Sequence, residues 1–259
     1  MIRFENVSFS YGREPVLKDV SFEVEPGETV VVLGVSGSGK STILKLIAGL
    51  VQADSGRIYV NGKEMTRATE LEWAAVRQKI GFVFQGGALF DSMTVGENIG
   101  FTLLEHTDKP LDEIEVTVRE TLRFLNLSED LIDILPDSLS GGMQRRVAIG
   151  RAVAAVDPLI MLYDEPTTGL DPISTEAITE LILKLQSVKG VSSIVVTHQI
   201  TDAFEVTNHF IVLHDGVIVF DGPGEELVQV PDERVQRFLA PFMTSVKNIP
   251  KVCPEDQDQ

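Results

Sequence analysis

A glycine-rich run, GVSGSGKS at residues 34–41, constrains the fold of this chain more than any other feature. An apolar stretch of strand length precedes it at residues 29–33, and residues 41–50 follow with their apolar side chains on one helical face. In such a strand–loop–helix unit, glycines let successive amides curl round a phosphate, and the helix N-terminus adds partial positive charge. The pattern predicts an α/β fold with a phosphate-binding loop, in which Lys40 reaches the outer phosphates and Ser41 ligates Mg2+.

Strand and helix signals alternate along most of the chain. Two strands with alternating pattern open it, Tyr11-Gly12 marks a turn, and the signal becomes helical between Gly86 and about Val156. Asp171 and Pro172 form a good start for a later helix, and Asp215-Gly216 a hairpin turn. The predicted strands are residues 2–8, 17–24, 57–62, 80–85, 160–164, 193–198, 210–214 and 217–220, and the later helices are residues 144–155 and 173–189. Apolar strands separated by crossover helices predict a parallel sheet covered on both faces.

The apolar strand at residues 159–163 leads into two carboxylates, Asp164 and Glu165. At the C-terminal end of a parallel strand, such side chains point toward the crevice in which ligands bind. Asp164 suits the metal shell, and Glu165 suits polarising a water for in-line attack on a γ-phosphate. An apolar strand that ends in Asp-Glu is ordinary by itself, and it gains meaning here because it follows a phosphate-binding loop.

The charge balance argues against nucleic acid as a partner. The chain of 259 residues has 39 acidic and 22 basic side chains, a formal net charge of -17, and Arg145-Arg146 as its longest basic run. Neutralising phosphates requires clustered Lys and Arg. The lone Cys253 cannot form an internal disulfide, and the chain opens without a basic-then-apolar leader, so we expect a cytosolic protein. The apolar stretches are of strand length, so a partner would have to hold the chain at a membrane.

The sequence LSGGMQ at residues 139–144 stands just before a helix that contains Arg145, Arg146 and Arg151. With these motifs the chain resembles the nucleotide-binding subunits of ATP-binding cassette (ABC) transporters, over nearly its whole length to about residue 225. The resemblance implies a P-loop NTPase fold with a RecA-like parallel core sheet, an N-terminal antiparallel β subdomain and an inserted α-helical subdomain at about residues 86–156. It places the ATPase domain at residues 1–239 and a polar C-terminal tail at residues 240–259.

In that family, the loop at residues 139–142 serves the nucleotide held on a second subunit. The resemblance implies that Ser140, Gly141 and Gly142 present a hydroxyl and backbone amides to its γ-phosphate, and a Ser-Gly-Gly turn can indeed cap a helix and form an anion nest. Met143 stands where the family most often has Gln, so the contact made by that Gln side chain is not carried over to this chain.

The remaining implied roles follow in order along the chain. Tyr11 resembles the aromatic residue that stacks on adenine, and residues 168–171 resemble the loop by which two subunits touch beside the catalytic Glu. The implied ATP-binding residues are Tyr11, Gly34, Ser36, Gly37, Ser38, Gly39, Lys40, Ser41, Thr42, Ser140, Gly141 and Gly142. The implied Mg2+ ligands are Ser41, Gln85 and Asp164, and the implied catalytic residues are Glu165, His198 and Gln85. His106, His209 and His214 have no such context and are interpreted as ordinary.

Residues 86–95, GGALFDSMTV, lie in the part of the insert that faces the membrane subunit in transporters. They resemble the ATPases of the MCE/Mla class, which move phospholipid between envelope membranes of bacteria or plastids, and Met143 also fits this class. Leu89, Phe90 and Met93 then form an apolar docking surface, or alternatively part of the core of the insert.

The implied partners are a second copy in a head-to-tail dimer, integral membrane permease subunits, an MCE-type lipid-binding protein and a small cytosolic regulatory subunit. The implied location is the cytoplasmic face of the inner membrane, as a peripheral subunit. An importer ATPase for amino acids or metal ions shares every catalytic motif and stays the alternative. A kinase or GTPase would lack residues 139–142, and a soluble cassette protein would usually show two cassettes or a long coiled-coil insertion.

Overall fold

The computed structural model describes residues 1–154 and 158–242. The chain divides into two compact units: Met1–Ala68 together with Ile194–Gln259, and Thr69–Ser193. Residues 243–259 of the predicted polar tail, and residues 155–157, where the predicted helical insert ends, lie outside the described residues.

The elements follow one another closely along the chain. The strands are β1 (Ile2–Tyr11), β2 (Glu14–Val24), β3 (Thr29–Leu33), β4 (Ser55–Val60), β5 (Lys63–Glu64), β6 (Ile80–Val83), β7 (Ile160–Asp164), β8 (Ser192–Thr197), β9 (His209–His214) and β10 (Val217–Pro223). The helices are α1 (Lys40–Ile47), α2 (Glu70–Arg77), α3 (Val95–His106), α4 (Leu111–Phe124), α5 (Gly141–Ala154), α6 (Pro172–Lys189), α7 (Ile200–Val206), α8 (Gly224–Leu227) and α9 (Glu233–Leu239). Within the described ranges, no helix combines the length and the apolar character needed to span a membrane.

An antiparallel sheet of the first unit has the strand order β2-β1-β4-β5. Ile2 and Phe4 of β1 are buried, as the two-residue period of a strand requires. The pairing of β1 with β2 then shifts its register, with Asn6 at a φ of 52°, and burial continues at Val7 and Phe9. Such an irregularity adds one residue to a strand and returns the next apolar side chains to the core face.

The same unit contains parallel pairing around β3. β3 and β9 run parallel, with Val30 opposite His209 and Leu33 opposite Val212. β10 follows β9 on one side, and β8 neighbours β3 on the other. All five residues of β3 are buried, as expected for a strand covered on both faces. The predicted hairpin turn is confirmed, since Asp215 and Gly216 have φ values of 49° and 79°, as a type I′ turn requires.

In the second unit, β6 and β7 run parallel, and α3, α4 and α5 pack together. Gly150 of α5 allows this packing, because a Cβ there would lie 2.6 Å from Leu125 Cδ1. α5 begins at Gly141, three residues before the predicted start, because the Met143 amide donates to Ser140 Oγ at 3.3 Å and so makes Ser140 the cap. Leu111, at the first helical position of α4, is 73% exposed.

Candidate functional site

The predicted phosphate loop connects β3 to α1 in the first unit. Gly34 passes the backbone of a neighbouring strand so closely that a Cβ there would lie 2.4 Å from the Leu213 carbonyl oxygen. Gly37 and Gly39 have φ values of 82° and 108°, which disfavour other residues. Lys40 is the first residue of α1, so the loop ends at the positive pole of a helix. The local chain thus has the form that the sequence predicted.

The polar groups of this loop fit a phosphate. Lys40 is buried, and its Nζ donates to the carbonyl oxygens of Gly34 at 2.8 Å and Val35 at 3.1 Å. Ser38 is 3% exposed, and its Oγ has no hydrogen-bond partner among the described residues. A buried hydroxyl without a partner is costly, and a phosphate oxygen is a stronger acceptor for Lys40 than a neutral carbonyl. The loop therefore has the donors that the phosphates of ATP need.

Two further predicted residues lie in the first unit. Tyr11 is 47% exposed and packs edge-on against Phe9, with ring centroids 4.8 Å apart. The turn predicted at Tyr11-Gly12 is displaced by one residue, because Tyr11 pairs with Glu14 as the last residue of β1. His198 comes directly after β8 and is exposed. The exposed Tyr11 ring is available for stacking on a base. Its contact with adenine stays a prediction.

The acidic pair lies in the second unit. Asp164 ends β7, and Asp164 and Glu165 are 9% and 8% exposed. Glu165 has a φ of 50°, a left-handed conformation that costs about 1–2 kcal/mol in a residue other than glycine. Thr168 Oγ1 donates to Glu165 Oε2 at 2.8 Å and fixes this carboxylate. Burial lowers the pKa of Arg145, while the charge of Asp164 acts in the opposite direction.

The loop at residues 139–142 is also in the second unit, and it packs against the start of α6. A Cβ on Gly142 would lie 2.4 Å from Ser174 Oγ, whereas one on Gly141 would lie 3.4 Å from Leu170 Cδ2. Asp171 caps α6 by accepting from the Ser174 amide at 3.0 Å and from Ser174 Oγ at 2.6 Å. The Ser174 hydrogen bonds lower the pKa of Asp171. Gly141, the first residue of α5, is exposed, so the positive pole of this helix is accessible. The first turn of α5 contains no acidic residue.

Gln85 is exposed at the start of a strained segment. Gly86, Gly87 and Ala88, which follow it, have φ values of 76°, 85° and 46°. The side chain of Asn98, which no sequence pattern singled out, holds the segment: its Oδ1 accepts from the Phe90 amide at 2.9 Å, and its Nδ2 donates to the Phe90 oxygen at 3.1 Å.

Magnesium fits the predicted ligands by chemistry. Ser41, Gln85 and Asp164 offer hydroxyl, amide and carboxylate oxygens, and Mg2+ prefers oxygen donors. Among the described residues, no three His, Cys, Asp or Glu side chains cluster so as to hold a metal ion. Mg2+ is usually bound by one or two protein groups together with substrate phosphates, so a preformed cluster is not required.

His209, interpreted as ordinary from the sequence, is the centre of an ionic cluster in the first unit. Its Nδ1 lies 2.5 Å from Glu28 Oε1, and its Nε2 lies 2.7 Å from Asp221 Oδ1. Hydrogen bonds to Asp221 and Glu28 raise the pKa of His209 to about 9. Burial raises the pKa of Glu28, but the hydrogen bond and charge of His209, together with a backbone hydrogen bond within the turn at Glu25, lower the pKa overall. The cluster joins β9 to β10 and to the residue before β3.

Comparisons with known proteins agree with the geometry. Residues 17–168 match the family model described as "ABC transporter". The chain is 35% identical over 239 residues to the intermembrane phospholipid transport system ATP-binding protein MlaF of Haemophilus influenzae, covering 92% of this chain and 90% of that protein. It is 38% identical over 254 residues to the chloroplastic protein TRIGALACTOSYLDIACYLGLYCEROL 3 of Arabidopsis thaliana, covering 92% and 73% of the two chains.

A solved structure shows the same fold. The dimeric ATP-binding cassette MJ0796, in a post-hydrolysis state bound to ADP and Pi, is 34% identical, with a TM-score of 0.78 and coverage of 86% of this chain and 98% of that chain. The predicted α/β cassette fold is therefore confirmed. The individual site residues stay predictions, with Tyr11, His198 and the phosphate loop in one unit and Gln85, residues 140–142, Asp164 and Glu165 in the other.

Proposed function

The chain belongs to the ABC transporter family and is an ATP-hydrolysing subunit, and from this premise we propose that it drives phospholipid transport between the membranes of an envelope. The observation that carries the proposal is the similarity to MlaF, whose name specifies intermembrane phospholipid transport, over 92% of this chain. The subtype resemblance of residues 86–95 supports the same substrate.

We assign ATP binding first to the phosphate loop. Ser38 Oγ, the Lys40 ammonium and the loop amides bind the phosphates, while Ser41, Gln85 and Asp164 would hold Mg2+, which would neutralise phosphate charge. Glu165 orients and polarises the attacking water, and Thr168 keeps its carboxylate in place at 2.8 Å. Positioning and electrostatic stabilisation supply most of the catalysis in phosphoryl transfer, and these residues provide both.

We propose that two copies form a head-to-tail dimer in which Ser140, Gly141 and Gly142 of one copy bind the γ-phosphate held by the other. The capped, outward-facing N-terminus of α5 supports this, because helix N-termini bind anions. The similar MJ0796 cassette is dimeric.

The permease contact is assigned to residues 86–95, here named the docking segment, and to a groove beside it. The groove has a volume of about 300 Å3 and is lined by Thr94, Gly96, Glu97, Leu104, Leu111, Ile114, Glu115, Val118, Arg119, Ile132 and Asp133. Phe90 is 40% exposed at the docking segment. Leu104 and Leu111 expose 40% and 73% of their surface at this groove and offer the permease an apolar contact. We propose the permease as the anchor that holds the chain at the cytoplasmic face of a membrane.

We also propose an MCE-type lipid-binding protein and a small regulatory subunit as further members of the complex. The support is the resemblance to the MCE/Mla class. Co-purification from the native membrane, followed by mass spectrometry of the proteins, tests both members.

One substitution pair tests the docking surface. Leu111→Asp places a charge in the groove, whereas Val116→Asp changes the same helix at an exposed residue that does not line the groove, the two side chains being 73% and 56% exposed. We expect Leu111→Asp to reduce permease binding and lipid transfer with unchanged ATPase activity of the isolated chain, and Val116→Asp to leave all three unchanged. Normal transfer by Leu111→Asp would refute the groove assignment.

The substrate test is ATP-dependent lipid transfer between vesicles by the reconstituted complex, together with mass spectrometry of the molecules that co-purify with it. We expect bound phospholipid and transfer that requires ATP. An amino acid or metal ion with no lipid movement would leave the ATPase assignment intact and replace phospholipid transport by import.

A further inference from the structure

Helix α5 holds the backbone around the docking segment through two arginines. Arg145 Nη1 donates to the Phe84 oxygen at 3.2 Å. One turn and a half further along the helix, Arg151 donates from Nη1 to the Ala88 oxygen at 2.8 Å and from Nη2 to the Gly87 oxygen at 3.0 Å. The Arg151 guanidinium also lies over the Phe90 ring, 5.4 Å from its centroid. The docking segment is thus bound to α5 by its own carbonyl groups.

The Arg151 contact is unusual in its electrostatics. Burial lowers the pKa of Arg151, and within the described residues its hydrogen-bond partners are neutral carbonyls, with no carboxylate. Arg151 is half-buried, and the Phe90 ring beside it adds a favourable cation–π contact. The carbonyls that it binds belong to Gly87 and Ala88, both left-handed, and this conformation is unfavourable for alanine. The two hydrogen bonds from one guanidinium to adjacent carbonyls fix the position of this short segment against α5.

α5 is one continuous helix from the Ser140 loop to Ala154. At a rise of about 1.5 Å per residue, Arg151 lies about 15 Å from Gly141 along the helix axis. At Gly150, next to Arg151, α5 packs closely against its neighbours, since a Cβ there would lie 2.6 Å from Leu125 and 3.2 Å from Thr121. A displacement of the N-terminus of α5 therefore moves Arg151, and the carbonyls of Gly87 and Ala88 with it.

We propose that Arg151 is a positioning residue that couples the Ser140 loop to the docking segment. When Ser140, Gly141 and Gly142 engage the phosphate of the second copy, α5 shifts and Arg151 pulls Gly87 and Ala88 with the helix. The coupling rests on the proposed function, since it links the proposed phosphate contact to the proposed permease contact. The sequence identifies Arg151 as a basic residue in the helix after the Ser140 loop. Only the fold shows which carbonyls it binds.

Hydrogen–deuterium exchange of the full-length chain tests the coupling. The Glu165→Gln background is used with and without MgATP, because that variant is expected to bind ATP and remain dimeric. We expect MgATP to change the exchange of amides 86–90. Arg151→Met should raise their exchange about tenfold before ATP is added and should abolish the ATP-dependent change. Arg151→Lys keeps the charge but loses the two-pronged donor, so we expect it to behave like Arg151→Met.

Arg146 offers a matched control on the same helix. Its Nη1 donates to the oxygens of Leu125 at 3.4 Å and Asn126 at 3.0 Å, so it also binds two carbonyls, but at the end of α4. Arg146→Met should leave the exchange of amides 86–90 and its response to ATP unchanged. Thermal unfolding of each variant shows which of them are folded.

The outcomes separate the coupling from its premise. The coupling is overturned if Arg151→Met or Arg151→Lys leaves the ATP-dependent change in exchange of amides 86–90 intact. It is also overturned if the Glu165→Gln protein with Arg151 in place forms a dimer with MgATP but amides 86–90 show no change in exchange. Absence of any ATP-dependent dimer, measured by light scattering, contradicts the proposed dimer and removes the premise of the coupling.

Discussion

Alanine substitution at the two adjacent glycines of the Ser140 loop should change the stability of the protein differently, with a loss at Gly142 and none at Gly141. Gly142 has no space for a side chain, since a Cβ would lie 2.4 Å from Ser174 Oγ and 2.7 Å from Ser174 Cβ. Such overpacking typically costs about 1–3 kcal/mol, and replacing a helical glycine by alanine returns about 0.5–1 kcal/mol. Gly142→Ala should therefore lower the free energy of unfolding by up to about 2.5 kcal/mol, which corresponds to a Tm decrease of up to about 10 °C.

Gly141 is the matched control. A Cβ there would meet Leu170 Cδ2 at 3.4 Å, an ordinary contact, so Gly141→Ala should be neutral or should stabilise the protein by up to about 1 kcal/mol. Because the clash pushes the N-terminus of α5 away from α6, we also expect Gly142→Ala to reduce ATPase activity more than Gly141→Ala does.

Thermal and urea unfolding, with steady-state ATP hydrolysis, measure both effects. Ser174→Gly removes both atoms that the new methyl group would meet, so the double variant should recover most of the stability lost in Gly142→Ala, and a double-mutant cycle gives the coupling energy. Equal losses for Gly141→Ala and Gly142→Ala, or no recovery in the double variant, would show that the contact with Ser174 is not what requires glycine.

Three further predictions follow from the site. Lys40→Ala should abolish nucleotide binding, whereas Glu165→Gln should bind ATP but hydrolyse it about 100-fold or more slowly. Calorimetry measures the binding and a phosphate assay the hydrolysis. Full turnover by Glu165→Gln contradicts the catalytic role of Glu165. Met143→Gln should leave ATPase activity nearly unchanged, because Ser140, Gly141 and Gly142 supply the phosphate contacts. Ser140→Arg should stop hydrolysis, and normal ATPase activity of this variant would refute the loop assignment. The folded-state pKa of His209, about 9, is above its ordinary value of 6.5, so the stability that protonated His209 contributes is complete below pH 6.5 and is lost as pH rises through 9. The free energies of unfolding of wild type and His209→Gln, measured in urea, should therefore converge above pH 9. A constant difference between them from pH 6 to pH 10 contradicts the ionic cluster.

The local structure around the candidate site is what short motifs predict well. The glycine-rich run lies between β3 and α1, and Asp164 ends β7, as the sequence predicted, whereas the roles of Gly34, Lys40 and Asp164 stay predictions. The start of α5 was predicted three residues too late, although the sequence analysis recognised that a Ser-Gly-Gly turn can cap a helix, as Ser140 does here.

Contacts between distant residues could not be predicted in this way. Arg151 and Gly87 are 64 positions apart, and Glu28 and His209 are 181 apart, so no local pattern connects them. α2 was missed from the sequence; it has only eight residues, and none of them is fully buried. Its available signal was the capping box of Thr69 and Glu72, a Thr-x-x-Glu pattern at the helix start.

Complementation between two inactive variants tests the central claim, that each ATP is hydrolysed between two copies of the chain. In a mixture of Lys40→Ala and Ser140→Arg proteins, a mixed head-to-tail dimer has one site with both defects and one site with neither. Random pairing at equal concentrations leaves about a quarter of all sites intact. Single-turnover ATP hydrolysis should therefore be absent in each variant alone and return in the mixture to about a quarter of the wild-type amplitude. If the mixture stays as inactive as its components, Lys40 and Ser140 do not serve one nucleotide from two copies, and the composite site is contradicted.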